Sequence, residues 1–220
     1  MFSLDSFNRA YDTETTEVVV GARKFQIFLP KSLAGFIDTD NVFQEFPLWA
    51  KIWQSSWVLA DHLAAMPVVS KKEFLEIGAG TGLVSIAATA FGHCITMSEH
   101  DDDALQFAKA NALINGFPRL PIIDLDWKRP RTVGRFDSIV ASEVTYKPEE
   151  CPSIMKLIKN CLKPDGEVIL AGEMRKSSMA VYKELEMGFD VRVQKKILRS
   201  DSEETNIYLF QMTLKDMPVK

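Results

Sequence analysis

The stretch Glu76-Ile77-Gly78-Ala79-Gly80-Thr81-Gly82 places a carboxylate two residues ahead of three alternating glycines, between the short apolar run ending at Leu75 and the apolar segment Val84 to Phe91. A side chain at each glycine would obstruct a tight turn or hold a ligand off the backbone, and a helix that follows offers unpaired N–H groups at its start. The spacing predicts strand, ligand-cradling loop and helix. Two ligand classes are excluded. A dinucleotide fingerprint needs glycine where Leu83 stands, and a phosphate P-loop needs a Gly-Lys-Ser/Thr that does not follow. Glu76 would repel a pyrophosphate and suits a cationic ligand better.

Further acidic residues stand where strands are expected to end. Glu99 closes Cys94 to Ser98 about 20 residues past the loop, the position from which a carboxylate accepts hydrogen bonds from ribose hydroxyls. Asp101, Asp102 and Asp103 fit the first turn of the next helix instead. Ser142-Glu143-Val144-Thr145-Tyr146 follows the apolar run Phe136 to Ala141. In doubly wound sheets ligands sit at the carboxyl ends of strands, which makes this segment the catalytic candidate. Trp49, Trp53 and Trp57 precede the loop, and such rings stack on flat groups or enclose cations. Trp53 is expected against the cofactor, and Trp57 is expected to pack the helix on the sheet.

The Glu-x-Gly-x-Gly-x-Gly motif at 76–82 resembles motif I of the class I, seven-strand methyltransferases that bind S-adenosylmethionine. The tryptophan run before it resembles the branch containing many protein-lysine methyltransferases, with Gln54 where proline is usual there, and Glu143-x-x-Tyr146 resembles that branch's Asp/Glu-x-x-Tyr signature. Lys163-Pro164-Asp165-Gly166-Glu167 also matches the family. The resemblance implies cofactor contacts at Trp53, Glu76, Gly78, Gly80, Gly82, Glu99, Asp126, Trp127 and Ser142. Glu76 would help hold the amino end of the methionine moiety, and Asp126 and Trp127 would contact the adenine. It implies Glu143 and Tyr146 as catalytic residues, S-adenosyl-L-methionine as cofactor and a protein lysine as acceptor. A small-molecule amine or an RNA base as acceptor stays open, as does a non-catalytic module that keeps the cofactor fold.

These residues need a scaffold. The 220 residues are 46% hydrophobic and 25% charged, enough for one well-filled core, and a net charge of −4 with both signs mixed presents no basic stripe for nucleic acid. Alternation over Thr15 to Leu29 around Gly21-Ala22 predicts a β-hairpin, and residues 32–45 read as linker or a short helical turn. Helices are expected after the tryptophan run, ending near Met66, and over Asp102 to Leu113, Glu149 to Leu162 and Ser177 to Met187, with two long final strands, antiparallel to each other, over Phe189 to Leu198 and Asn206 to Leu214. The fold class expected is α/β: a Rossmann-like doubly wound seven-stranded sheet, mostly parallel with one antiparallel strand, the strand order following from the resemblance. A hairpin extension at 1–45 precedes a methyltransferase domain at 46–220. Three cysteines without C-x-x-C spacing read as reduced thiols, and scattered His62, His93 and His100 offer no metal motif. An N-terminus without an apolar core, and no membrane-length apolar run, predict a cytoplasmic protein without membrane contact.

Overall fold

The computed structural model describes residues 2–37, 46–145, 148–175, 179–199 and 204–215. In chain order the elements are α1 (Leu4–Ala10), β1 (Thr13–Val20), β2 (Arg23–Pro30), α2 (Gln54–Ala65), β3 (Glu73–Glu76), α3 (Leu83–Ala90), β4 (Cys94–Glu99), α4 (Asp102–Ile114), β5 (Ile122–Asp124), β6 (Phe136–Ser142), α5 (Cys151–Cys161), β7 (Leu162–Glu173), α6 (Met179–Gly188), β8 (Phe189–Arg199) and β9 (Glu204–Leu214). The seven-stranded sheet has the order β5-β4-β3-β6-β7-β9-β8. Strands β3 to β7 pair in parallel, and β9 runs antiparallel to both β7 and β8. The order reverses between β3 and β6. Connections leaving those two strands diverge, which opens a crevice at their carboxyl ends.

Both faces of the sheet are covered, so its central strands are apolar without interruption. Val140 and Ile169 point into a core shared with Leu59 and Leu63 of α2 and Ile86 of α3. Their neighbours Ile139 and Leu170 point the other way, against Leu157 and Ile158 of α5 and Leu185 of α6. Between Phe136 and Ser138 the register of β6 against β7 shifts. That irregularity lets β7 begin at Leu162, where the sequence suggests a turn at 163–166.

The hairpin turns at Gly21-Ala22 with Val20 opposite Arg23, and Gly21 takes φ +55 there. Its Val20, Phe25 and Ile27 are buried in the same core as α2 and α3. Trp57 donates from Nε1 to the Val19 carbonyl at 2.6 Å, so it packs and also tethers. The outer edge of β2 is closed by two asparagines. Phe28 N donates to Asn111 Oδ1 at 2.7 Å and Gln26 N to Asn115 Oδ1 at 3.0 Å, and each amide nitrogen donates back to the same residue's carbonyl. Residues four apart on a helix are spaced about 5–6 Å, close to the repeat of alternate strand residues, so α4 satisfies an edge that would otherwise invite another strand.

Helix α1 has no counterpart among the sequence expectations. Ser3 caps it by accepting from Ser6 N at 3.4 Å, and Phe7 packs edge-on against Phe107 of α4 at 5.0 Å. Within 32–45, Ala34–Phe36 forms a short 3-10 turn, and 38–45 lie outside the described residues. No helix among the described residues is long and apolar enough to cross a membrane.

Candidate active site

Gly78, Gly80 and Gly82 all adopt left-handed φ, +64, +56 and +86, and carry the chain from β3 over the edge of the sheet into α3. The constraint differs along the loop. A Cβ on Gly82 would lie 2.7 Å from Met97 Cε, so this glycine lets α3 close onto β4. A Cβ on Gly78 would lie 2.9 Å from Val144 Cγ1 and 3.2 Å from Trp127 Cζ3, across the crevice. The loop is fixed by Ala79 N donating to the Ser98 carbonyl and Asn111 Nδ2 donating to the Thr81 carbonyl, both at 3.0 Å.

Glu76 lies under this loop. Its Oε2 accepts from Ser85 N at 3.0 Å and from Ser85 Oγ, so the carboxylate caps the first turn of α3, where unpaired N–H groups favour negative charge. It is fully buried, and burial pushes its pKa up to about 8. Its Oε1 is buried and has no hydrogen-bond partner among the described residues.

Glu99, at the end of β4, does face the crevice. Oε2 accepts from Gly80 N at 2.7 Å, and Oε1 from His100 N at 2.7 Å and Asp101 N at 3.3 Å. Burial holds its carboxyl above the usual range despite these donors. Beyond β5, Asp126 Oδ1 accepts from Lys128 N at 2.7 Å, and Trp127 donates from Nε1 to buried Glu150 Oε2 at 3.0 Å. Glu150 also pairs with Lys128 Nζ at 2.9 Å, which locks the indole. His100 bridges Asp124 at 3.0 Å and Asp126 at 3.7 Å, and the Asp124 bond raises its pKa.

At the end of β6, Glu143 takes φ +52, a conformation rare for a side-chain-bearing residue. Strain of this kind, about 1–3 kcal/mol, concentrates at functional sites. Glu143 Oε1 accepts from Glu173 N at 3.0 Å, and Oε2 lies 3.3 Å from Arg175 Nη1. Burial raises its pKa, opposed by the Glu173 N–H and the Arg175 charge. Trp53 donates from Nε1 to the Leu48 carbonyl at 2.8 Å, with Lys51 Nζ 4.4 Å and Arg175 Cζ 5.9 Å from its ring centre. Tyr146 lies outside the described residues.

These groups surround one cavity of about 660 Å3, within the range of small-ligand sites. Trp53, Gly78, Gly80, Glu99, Asp126, Trp127, Ser142 and Glu143 line it, whereas Glu76 and Gly82 support the loop from below. Sequence reasoning did not anticipate the wall formed by Phe36, Phe46, Pro47 and Leu48, nor His100, Lys128, Glu150 and Arg175. The Glu-His-Asp run at 99–101 is the one local signal for His100. The others are brought in by distant segments. Among the described residues no group of three or more His, Cys, Asp or Glu side chains is placed to hold a metal ion.

A family model described as lysine methyltransferase matches residues 45–187. The rat electron transfer flavoprotein beta subunit lysine methyltransferase is 28% identical over 177 residues, covering 77% of this chain and 69% of that protein. Mouse EEF1A lysine methyltransferase 3 is 27% identical over 142 residues, covering 62% and 61% respectively, so the chain spans about two thirds of the length of these relatives. Among solved structures, the ribosomal protein L11 methylase of Lactobacillus delbrueckii subsp. bulgaricus superposes with a TM-score of 0.58 at 21% identity, over 75% of this chain and 81% of that one, and shares its fold. With the match running from the segment that leads into Trp49 and Trp53 through the glycine loop, Glu99 and Glu143 to α6, the chain belongs to the lysine methyltransferase family.

Proposed function

We propose that this protein methylates the side-chain amine of a lysine in another protein, with Glu143 as the residue that receives the acceptor. S-adenosylmethionine is the methyl donor that family and fold imply. The residues present fit it: side-chain-free backbone at Gly78 and Gly80 borders the cavity, and Glu99 offers carboxylate oxygens at the loop. When bound, the cofactor supplies a methyl group already activated on a sulfonium, the carbon–sulfur pair returning to sulfur as the carbon–nitrogen bond forms.

The chain's own residues have defined tasks in this reading. Glu99 accepts from the ribose hydroxyls, Asp126 and Trp127 hold the adenine, Ser142 and Trp53 border the methionine end, and Gly82 with Glu76 keeps the loop in place. Glu143 orients the acceptor nitrogen, and Tyr146 is assigned to the same step on the Glu-x-x-Tyr signature alone. Alignment is the main contribution such a site makes, because a positioned nucleophile avoids most of the entropy of a bimolecular encounter. A free lysine, with a pKa of about 10.4, must also arrive without its proton.

The observation that carries this reading is Glu143: a half-buried carboxylate held at φ +52 just past the strand beside the switch point, facing the cavity that the glycine loop borders. The experiment is to incubate the pure protein and methyl-labelled cofactor with a lysate and map the label. Label on a lysine side chain of a protein is the expected result. Label confined to RNA or to small amines would overturn the acceptor assignment.

A further inference from the structure

The acceptor end of the cavity holds a charged group that the mechanism above leaves unused. Arg175, just beyond β7, places its guanidinium Nη1 3.3 Å from Glu143 Oε2 and 5.9 Å, measured at Cζ, from the centre of the Trp53 ring. A carboxylate beside an aromatic face is what an alkylammonium ion binds. Arg175 therefore occupies, with a permanent charge, the electrostatic position that a lysine ammonium would take. An ammonium has no lone pair and cannot attack a methyl group. A bare Glu143 would hold the acceptor in that unreactive form, since an opposite charge within 4–6 Å favours the charged state of an amine.

We infer that Arg175 neutralises Glu143 so that the slot admits the acceptor lysine as a neutral amine, making Arg175 a positioning residue that sets the charge state of the nucleophile. The inference rests on the reading of Glu143 given above. The other groups facing Glu143 do not replace this function. From the end of β7, Glu173 gives a backbone N–H and an added negative charge, and its Oε2 lies 3.4 Å from Arg175 Nε, so the guanidinium bridges the two carboxylates. From α6, the Tyr182 hydroxyl lies beside Gly172 on the Oε1 side, and from α2 Ser55 offers only an uncharged hydroxyl. Lys51 lies 4.4 Å from the centre of the Trp53 ring, on the aromatic side of the slot. Among the described residues, Arg175 is the cation that pairs with Glu143. Burial raises the Glu143 pKa and the Arg175 charge opposes that rise, so a variant without Arg175 loses the favourable charge beside the carboxylate and leaves its place open to another cation.

The test is calorimetric titration of N-acetyl-lysine methylamide into the protein saturated with S-adenosylhomocysteine, at pH 6.5 and pH 9.5. Wild type is expected to bind the probe more tightly at the higher pH, where more of it is neutral. Arg175→Gln, which keeps a hydrogen-bond donor and loses the charge, is expected to bind about tenfold more tightly than wild type at pH 6.5 and to lose that advantage at pH 9.5, a tenfold change corresponding to about one pKa unit. Arg175→Lys should behave as wild type, and Arg175→Met serves as a second uncharged variant if the glutamine form does not fold. A structural role alone would not reverse the pH dependence. Glu143→Gln separates the two layers. If it alters probe binding while the uncharged Arg175 variants bind as wild type or more weakly at pH 6.5, the inference is overturned and the reading of Glu143 stands. If Glu143→Gln also binds as wild type, or no form of the protein gives heat, the reading of Glu143 fails and the inference with it.

Discussion

Carboxylates on the two sides of the switch in strand order are held in different ways. On the β3–β4 side, Glu76 takes the N–H and hydroxyl of Ser85, and Glu99 takes the N–H groups of Gly80, His100 and Asp101. Those partners belong almost entirely to the backbone, fixed by the helix and loop that carry them. On the β6–β7 side, Glu143 has one backbone donor, from Glu173, and its other oxygen faces the long side chain of Arg175. A backbone-held carboxylate recognises one ligand that is the same in every turnover. One paired with a flexible cation can exchange that partner without moving a strand. In the function proposed above, the difference separates a backbone-held cofactor half from an acceptor half whose charge can be rebalanced.

The comparison breaks most visibly at Glu143. Replacing it with alanine should leave S-adenosylhomocysteine affinity nearly unchanged and lower turnover on the labelled acceptor by at least about 10²-fold, the scale of losing a positioned catalytic group. Binding by calorimetry and single-turnover rates on the same preparation test this. Full turnover by Glu143→Ala would reduce the acid to a structural role and remove the distinction between the halves.

Glu99→Ala should act in the opposite sense. Ribose hydroxyls that lose a charged acceptor are bound less well by roughly 1–3 kcal/mol, about 5- to 150-fold in the dissociation constant. Gly80 N–H loses its acceptor in the same variant. The rate at saturating cofactor should fall far less than in the Glu143 variant. An unchanged dissociation constant would remove Glu99 from the cofactor half.

How much of this was legible in the sequence follows from where the determinants lie. The glycine loop, and the placement of Glu99 and Glu143 at the cavity, were readable because each is specified within a few residues: a glycine at each left-handed position, an acid at the end of an apolar run. The parallel strands were readable for the same reason, since burial on both faces leaves continuous apolar segments. What escaped depends on contacts between remote residues. Asn111 joins Phe28 of the hairpin to Thr81 of the loop, and Glu150 reaches back to Trp127 and Lys128. No local pattern distinguishes these side chains from exposed ones. Arg175 is likewise an ordinary basic residue after a strand until the sheet sets β7 beside β6. The hairpin read as an appendage, yet Val20, Phe25 and Ile27 are buried in the central core. Glu76 was expected at the ligand, and the structure places it beneath the loop. From sequence, an acid at a strand end can face either the crevice or the helix that starts beside it. Ser85, nine residues on, supplies the hydroxyl that favours the helix.

The smallest effect predicted concerns that buried acid, and it sharpens the claim that the cofactor half is fixed by its scaffold. With its folded-state pKa at about 8, above the usual carboxylate range, Glu76 retains a proton that the unfolded chain has already released at lower pH. The folded state therefore binds more protons across this window, and stability falls as pH rises from about 4.5 to about 8. Glu76→Gln keeps a carbonyl oxygen for the Ser85 donors and has no proton to lose. The unpartnered position at Oε1 changes absolute stability in the variant, whereas the slope with pH isolates the titration. Between pH 5 and pH 8 the melting temperature of wild type should drop by at least about 4 °C more than that of the variant, since 1 kcal/mol corresponds to about 2–4 °C in a chain of this size. Glu143 also carries a raised pKa but is common to both proteins, whereas the Glu99 charge acts on Glu76 and its change is part of the difference measured. Parallel melting curves against pH would mean that Glu76 is ionised in the folded protein, its charge held by the start of α3 against the cost of burial.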